Sequence, residues 1–137
     1  MHWQVSFSAL RNVFPSKESM AAQSVGVFVG VQVGEFYAVT AQRTPGPYTN
    51  TGASASIASG RISYAFGLLG PSISLDTACS ASLVAIDAAC SSLFVGSSMS
   101  ALVAGVNIML GPAFFVECCT AHMLSPNGRC QTVSFAL

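Results

Sequence analysis

Ser72-Ile73-Ser74-Leu75-Asp76-Thr77-Ala78-Cys79-Ser80-Ala81-Ser82-Leu83 changes its period halfway along. Residues 72–75 alternate polar and apolar, as a strand does, and Pro71 closes off what precedes them. Beyond the turn, Leu83, Ile86, Cys90 and Leu93 recur at steps of three, four and three, one face of a helix, and Gly96 stands where a C-terminal cap belongs. Cys79 therefore falls at or beside the N-terminus of a helix that follows a strand. The unpaired N–H groups and the macrodipole there carry about half a positive charge, which favours the thiolate, the nucleophilic form. The small neighbours Ala78, Ser80, Ala81 and Ser82 leave room for a substrate carbonyl to reach the sulfur. Spacing by itself leaves two readings open. Cys79 is either a reactive nucleophile, at a strand-turn-helix corner of the kind several nucleophiles share, or an inert packed cysteine of the kind apolar chains commonly bury.

The rest of the chain alternates strand and helix signals. Residues 1–23 read as irregular, with a short helix near 6–13. Residues 25–33 are β-branched and punctuated by glycine, the pattern of a buried strand. Residues 35–50 hold Gly46 between Pro45 and Pro47 and read as a loop. Residues 51–66 are rich in Ala and Ser, with Ile57, Arg61 and Tyr64 at helical steps and Gly67 as the stop. Residues 101–110 predict another buried strand, and a helix opens at Pro112, where proline suits the first turn. This order predicts an α/β layered domain with a mostly parallel sheet.

Composition narrows the function classes. Of 137 residues, 7% are charged and 52% hydrophobic, against a usual charged share of about 25%. A surface so poor in charge belongs inside a larger protein or against a partner. The net charge is zero, and Arg11, Lys17, Arg43, Arg61 and Arg129 are scattered, which argues against nucleic-acid binding. The uncharged run 101–116 contains Gly105, Asn107 and the break Gly111-Pro112, and it falls short of the about 20 apolar residues a membrane span needs. Residues 1–11 lack the basic start and clean apolar core of a secretory signal. The five cysteines, Cys79, Cys90, Cys118, Cys119 and Cys130, show no framework spacing, so a reducing, cytoplasmic setting is expected. Cys118, Cys119 and His122 lie close on a helical pattern, but without a second ligand pair they make a poor zinc site, and no metal is expected.

The stretch Gly70-Pro71-Ser72-Ile73-Ser74-Leu75-Asp76-Thr77-Ala78-Cys79-Ser80-Ala81-Ser82-Leu83-Val84-Ala85 resembles the active-site signature of β-ketoacyl synthases, the condensing enzymes of fatty acid and polyketide assembly. Its Asp-Thr-Ala-Cys form is most similar to the ketosynthase domains of large multidomain synthases. Four further stretches fall in the family's order: Gly26-Val27-Phe28-Val29-Gly30-Val31, Gly60-Arg61-Ile62-Ser63-Tyr64, Ala101-Leu102-Val103-Ala104-Gly105-Val106-Asn107 and Met123-Leu124-Ser125-Pro126-Asn127-Gly128-Arg129-Cys130. Residues 25–130 thus resemble part of the family's N-terminal domain, residues 1–24 match it poorly and residues 131–137 diverge. The signature of thiolases around their cysteine differs from Asp76-Thr77-Ala78-Cys79-Ser80, which disfavours that neighbouring enzyme class.

The resemblance implies a thiolase-like fold, of which this chain is an incomplete N-terminal half with a mostly parallel or mixed sheet and packed helices. It implies a decarboxylative Claisen condensation with Cys79 as the acyl acceptor, its backbone N–H supplying part of an oxyanion hole. It implies no bound cofactor. Acyl and malonyl thioesters would arrive on the phosphopantetheine arm of an acyl carrier protein, and the full domain would be a homodimer. It also places Arg61 in a buried ion pair, where composition alone allows a surface charge.

Several of the family's features fall elsewhere. Its two catalytic histidines, its lysine and its second oxyanion donor lie in a C-terminal half beyond the point corresponding to Leu137, and neither His2 nor His122 matches a catalytic position. The family's opening strand should precede Met1. Asn127 replaces the usual aspartate, and Gln131-Thr132-Val133-Ser134-Phe135-Ala136-Leu137 drifts from the family pattern. A fragment, a truncated reading of the gene or a degenerate copy would each account for this. The alternative to a working piece of a synthase is a catalytically silent remnant with a binding or assembly role.

Overall fold

A run of small and β-branched residues, Val-Gly-Val-Phe-Val-Gly-Val, forms the central strand β1 (Val25–Val31) of a three-stranded sheet in the computed structural model, which describes residues 2–32, 35 and 46–130. Strands β2 (Ser72–Leu75) and β3 (Ser100–Val106) flank it in the order β2-β1-β3, and both pair with β1 in parallel. β1 is buried on both faces, which is why it reads as one apolar run, as parallel strands covered by helices do.

The two faces of β1 carry different residues because side chains alternate along a strand. Val25, Val27 and Val29 enter a thick core with Leu10, Met20, Ile62, Phe66, Leu68 and Leu102. Helices α1 (His2–Arg11), α2 (Lys17–Met20) and α4 (Ile57–Phe66) supply most of its other members, and the Phe7 and Phe66 rings stack with centroids 5.9 Å apart. The opposite face presents Gly26, Phe28 and Gly30, in register with Ala101, Val103 and Gly105 of β3. On this thinner side lies α5 (Ala81–Phe94), with Ala85 and Ala89 packed around Phe28.

The predicted strand-turn-helix corner and both glycine stops are present. Gly67 and Gly96 take φ of 66° and 78° at the ends of α4 and α5, the left-handed conformation that closes a helix. At the end of α5, Gly96 N–H donates to Leu93 O and Ser97 N–H to Ser92 O, at 3.1 and 2.9 Å. Pro112 occupies the N-cap of α6 (Ala113–Thr120), as the sequence predicts.

Other expectations are corrected. The face marked by Leu83, Ile86, Cys90 and Leu93 is turned to solvent. Leu83 is 68% exposed and the adjoining Phe94 94%, whereas Ala81, Ala85 and Ala89 meet the sheet and are buried. Residues 51–66 form two helices, α3 (Thr49–Ala53) and α4, parted at Ser54–Ser56, where serine side chains bond to one another (2.6 Å) in competition with helical backbone bonding. β3 ends at Val106 and is half-buried, because among the described residues it lies at a sheet edge with one strand neighbour. The N-terminal helix spans His2–Arg11, earlier than residues 6–13. Arg61 is exposed and its guanidinium donates to the carbonyl of Thr51, so it ties α4 to α3 and is not a buried ion-pair partner. Most of the loop expected at 35–50, and residues 131–137, lie outside the described residues.

No helix among the described residues is long and apolar enough to cross a membrane.

Candidate active site

The corner between β2 and α5 is built by local hydrogen bonds. Where β2 ends, Asp76 Oδ1 accepts from Ala78 N–H at 3.0 Å and bends the chain. Ala78 then takes φ 55°, the left-handed region that a residue with a Cβ enters at a cost on the order of 1 kcal/mol. A single 3-10 turn, Ala78–Ser80, follows and runs into α5. Ser80 Oγ lies 2.8 Å from Thr77 O, to which it donates, and 2.9 Å from Thr77 Oγ1. Cys79 stands in the middle of this turn, exposed, in a bend held by its own neighbours. Strained backbone of this kind is characteristic of functional corners.

Beneath the corner, β2 is anchored to α4. Ser74 Oγ donates to Ser59 Oγ at 3.0 Å and accepts from Ser59 N–H at 3.2 Å, and Ser59 is buried. Ser80 spends its hydroxyl on Thr77 and makes no side-chain cap to α5, so it leaves the first-turn N–H groups of that helix uncapped by its own N-cap side chain. Two strand glycines set how closely α5 can approach. A Cβ on Gly30 would stand 2.6 Å from Ala81 C and 2.7 Å from Ser82 N, and one on Gly105 would stand 2.8 Å from Ser82 Cβ. Periodicity along the sequence singles out neither glycine as a positioning residue. The available signal was glycine interrupting a β-branched run, which marks close approach of another backbone.

The remaining thiols are arranged differently. Cys90, Cys119 and Cys130 are exposed and Cys118 is buried. His122 lies beyond the end of α6 with φ 54°, donating its N–H to Cys119 O at 3.0 Å, so the helical spacing that joined it to Cys118 on paper is broken. No group of three His, Cys, Asp or Glu among the described residues is placed to hold a metal ion.

Comparison with known proteins gives a consistent answer. Residues 1–135 match the β-ketoacyl synthase N-terminal domain. The chain is 45% identical over 130 residues to a mycocerosic acid synthase-like polyketide synthase of Mycobacterium tuberculosis, covering 93% of this chain and 6% of that protein. It is 38% identical over 130 residues to the cyclo-acetoacetyl-L-tryptophan synthase of Aspergillus oryzae, covering 93% of this chain and 3% of that one. Among solved structures, the ketosynthase from module 6 of the bacillaene synthase of Bacillus subtilis superposes with a TM-score of 0.71 at 36% identity, over 84% of this chain and 19% of its own. The chain thus spans a small part of each relative. Its parallel sheet with packed helices is a partial domain of the thiolase-like fold that these ketosynthases share.

Proposed function

The chain belongs to the β-ketoacyl synthase family, whose members are acyl-condensing transferases, and from that premise we propose that Cys79 is the acyl acceptor of a ketosynthase. The carrying observation is the exposed thiol at a strained strand-to-helix corner, within the stretch that resembles the family signature. The Cys79 sulfur attacks the carbonyl carbon of a thioester carried on the phosphopantetheine arm of an acyl carrier protein. The new C–S bond replaces the old one, and the arm leaves as a thiol that takes up the proton. The N-terminal end of α5 and the backbone N–H of Cys79 stabilise the negative charge that develops on the carbonyl oxygen.

The second half of the reaction forms a C–C bond. A malonyl-type thioester loses carbon dioxide, its α-carbon attacks the Cys79-bound carbonyl, and the sulfur departs. His2 and His122 match no catalytic position of the family, so decarboxylation falls to histidines supplied by the rest of a ketosynthase domain, which works as a homodimer in the cytoplasm. Residues 25–130 carry the site.

Incubation of the chain with an acyl N-acetylcysteamine thioester, followed by peptide mass mapping, tests the assignment. One acyl group on Cys79, lost in Cys79→Ala and kept in Cys90→Ala, is expected. Acylation spread over Cys90, Cys119 and Cys130, or surviving in Cys79→Ala, would overturn it.

A further inference from the structure

We infer that Gly30 and Gly105 are positioning residues for Cys79: a pair of adjacent glycines on β1 and β3 sets the depth at which the first turn of α5 seats on the sheet, and through it the place of the sulfur. The inference rests on the reading of Cys79 as the acyl acceptor and extends it to residues outside the signature stretch.

Gly30 and Gly105 are register partners on neighbouring parallel strands, so together they make a flat patch of backbone with no side chain on the α5 side. Ala81 and Ser82 rest on that patch. Ordinary carbon contacts lie at about 3.5–4.0 Å, so the 2.8 Å that a Cβ on Gly105 would leave to Ser82 Cβ requires a retreat of about 1 Å. A Cβ on Gly30 would meet the main chain of Ala81 and Ser82, which cannot turn aside.

A displacement of this turn reaches Cys79 because nothing soft lies between them. Ala81 follows the 3-10 turn directly, and its N–H donates to Ala78 O. The bonds from Ala78 N–H to Asp76 and from Ser80 to Thr77 lock the corner into one unit with the helix start. Lifting Ser82 therefore tilts the corner as a body, and Cys79 moves with it.

The approach of Ser82 to Gly105 gives a reciprocal test, because in Gly105→Ala the close contact would be between two Cβ atoms. In the full chain, iodoacetamide labelling is followed by peptide mass mapping at Cys79, at Cys90 on the same helix, and at buried Cys118, which reports general opening. Gly105→Ala should lower the Cys79 rate relative to Cys90 by about threefold or more, since the influence of the α5 dipole falls off within its first turn and a tilted corner carries the sulfur away from it, and Cys118 should stay protected. Adding Ser82→Gly should restore the ratio to that of Ser82→Gly alone. Adding Ser82→Ala, which keeps the Cβ, should not.

An unchanged ratio in Gly105→Ala overturns the inference, as does equal rescue by Ser82→Ala. Opening of Cys118 in step with any change at Cys79 also overturns it, because the glycines would then serve general packing. Should Gly105→Ala fail to fold, the contrast between the two double variants decides: recovery of folding and of the Cys79 ratio with Ser82→Gly but not with Ser82→Ala supports the inference, and identical behaviour of the two refutes it. A Cys79 that takes no acyl group in the parent chain counts against the nucleophile assignment, while the response of its labelling ratio to Ser82 still decides the seating.

Discussion

The two faces of α5 are opposites in volume. Toward the sheet it presents Ala81, Ala85 and Ala89, all buried, and toward solvent it presents Leu83, Ile86, Leu93 and Phe94, all exposed. A helix folding alone against a sheet is expected to turn its large apolar stripe inward. Here the small face is inside because its task is close approach. Alanines against Phe28, and a backbone seat on Gly30 and Gly105, bring the helix start down to the sheet end where Cys79 stands. The large face carries burial capacity that the described residues leave uncovered, consistent with a chain that is 7% charged and spans a small part of its relatives.

Neighbouring positions on the two faces can break this comparison. The larger effect is expected at Ala85, which is fully buried. Ala85→Leu forces a longer side chain between α5 and the sheet and should destabilise the fold by about 1–3 kcal/mol in urea unfolding; a neutral result would show that the approach is loose. The smaller effect is expected one residue on. Ile86→Ser should change stability by no more than about 0.5 kcal/mol, as substitutions at exposed sites do. The same variant should reduce binding of an apolar dye and self-association, since it removes part of an exposed apolar patch. A large loss of stability in Ile86→Ser would mean that the outer face is packed after all.

How far the residues disclosed this architecture depends on the range of the interaction. The corner at Cys79 was legible because its parts are consecutive: alternation over 72–75, small residues over 78–82, a helical period afterwards. The stops at Gly67 and Gly96 and the start at Pro112 were legible for the same reason. Periodicity found the stripe of Leu83, Ile86, Cys90 and Leu93 but could not say which side meets the sheet. That choice is made by Phe28 and Gly30 of β1 together with Gly105 of β3, two segments distant in sequence that come together through strand register. The left-handed Ala78 was hidden too, because alanine does not advertise positive φ as glycine does. Arg61 misled because a family pattern names a residue, whereas its partner here is the carbonyl of Thr51.

The most direct test of the central claim is the rate at which the unmodified chain is alkylated by iodoacetamide near neutral pH, resolved by site. Cys79 and Cys90 are both exposed thiols, one at the corner and one on the outer face of α5, so access alone does not separate them. The account predicts that Cys79 reacts faster by roughly tenfold, as befits a thiol at a helix start. Equal rates at the two sites would contradict it.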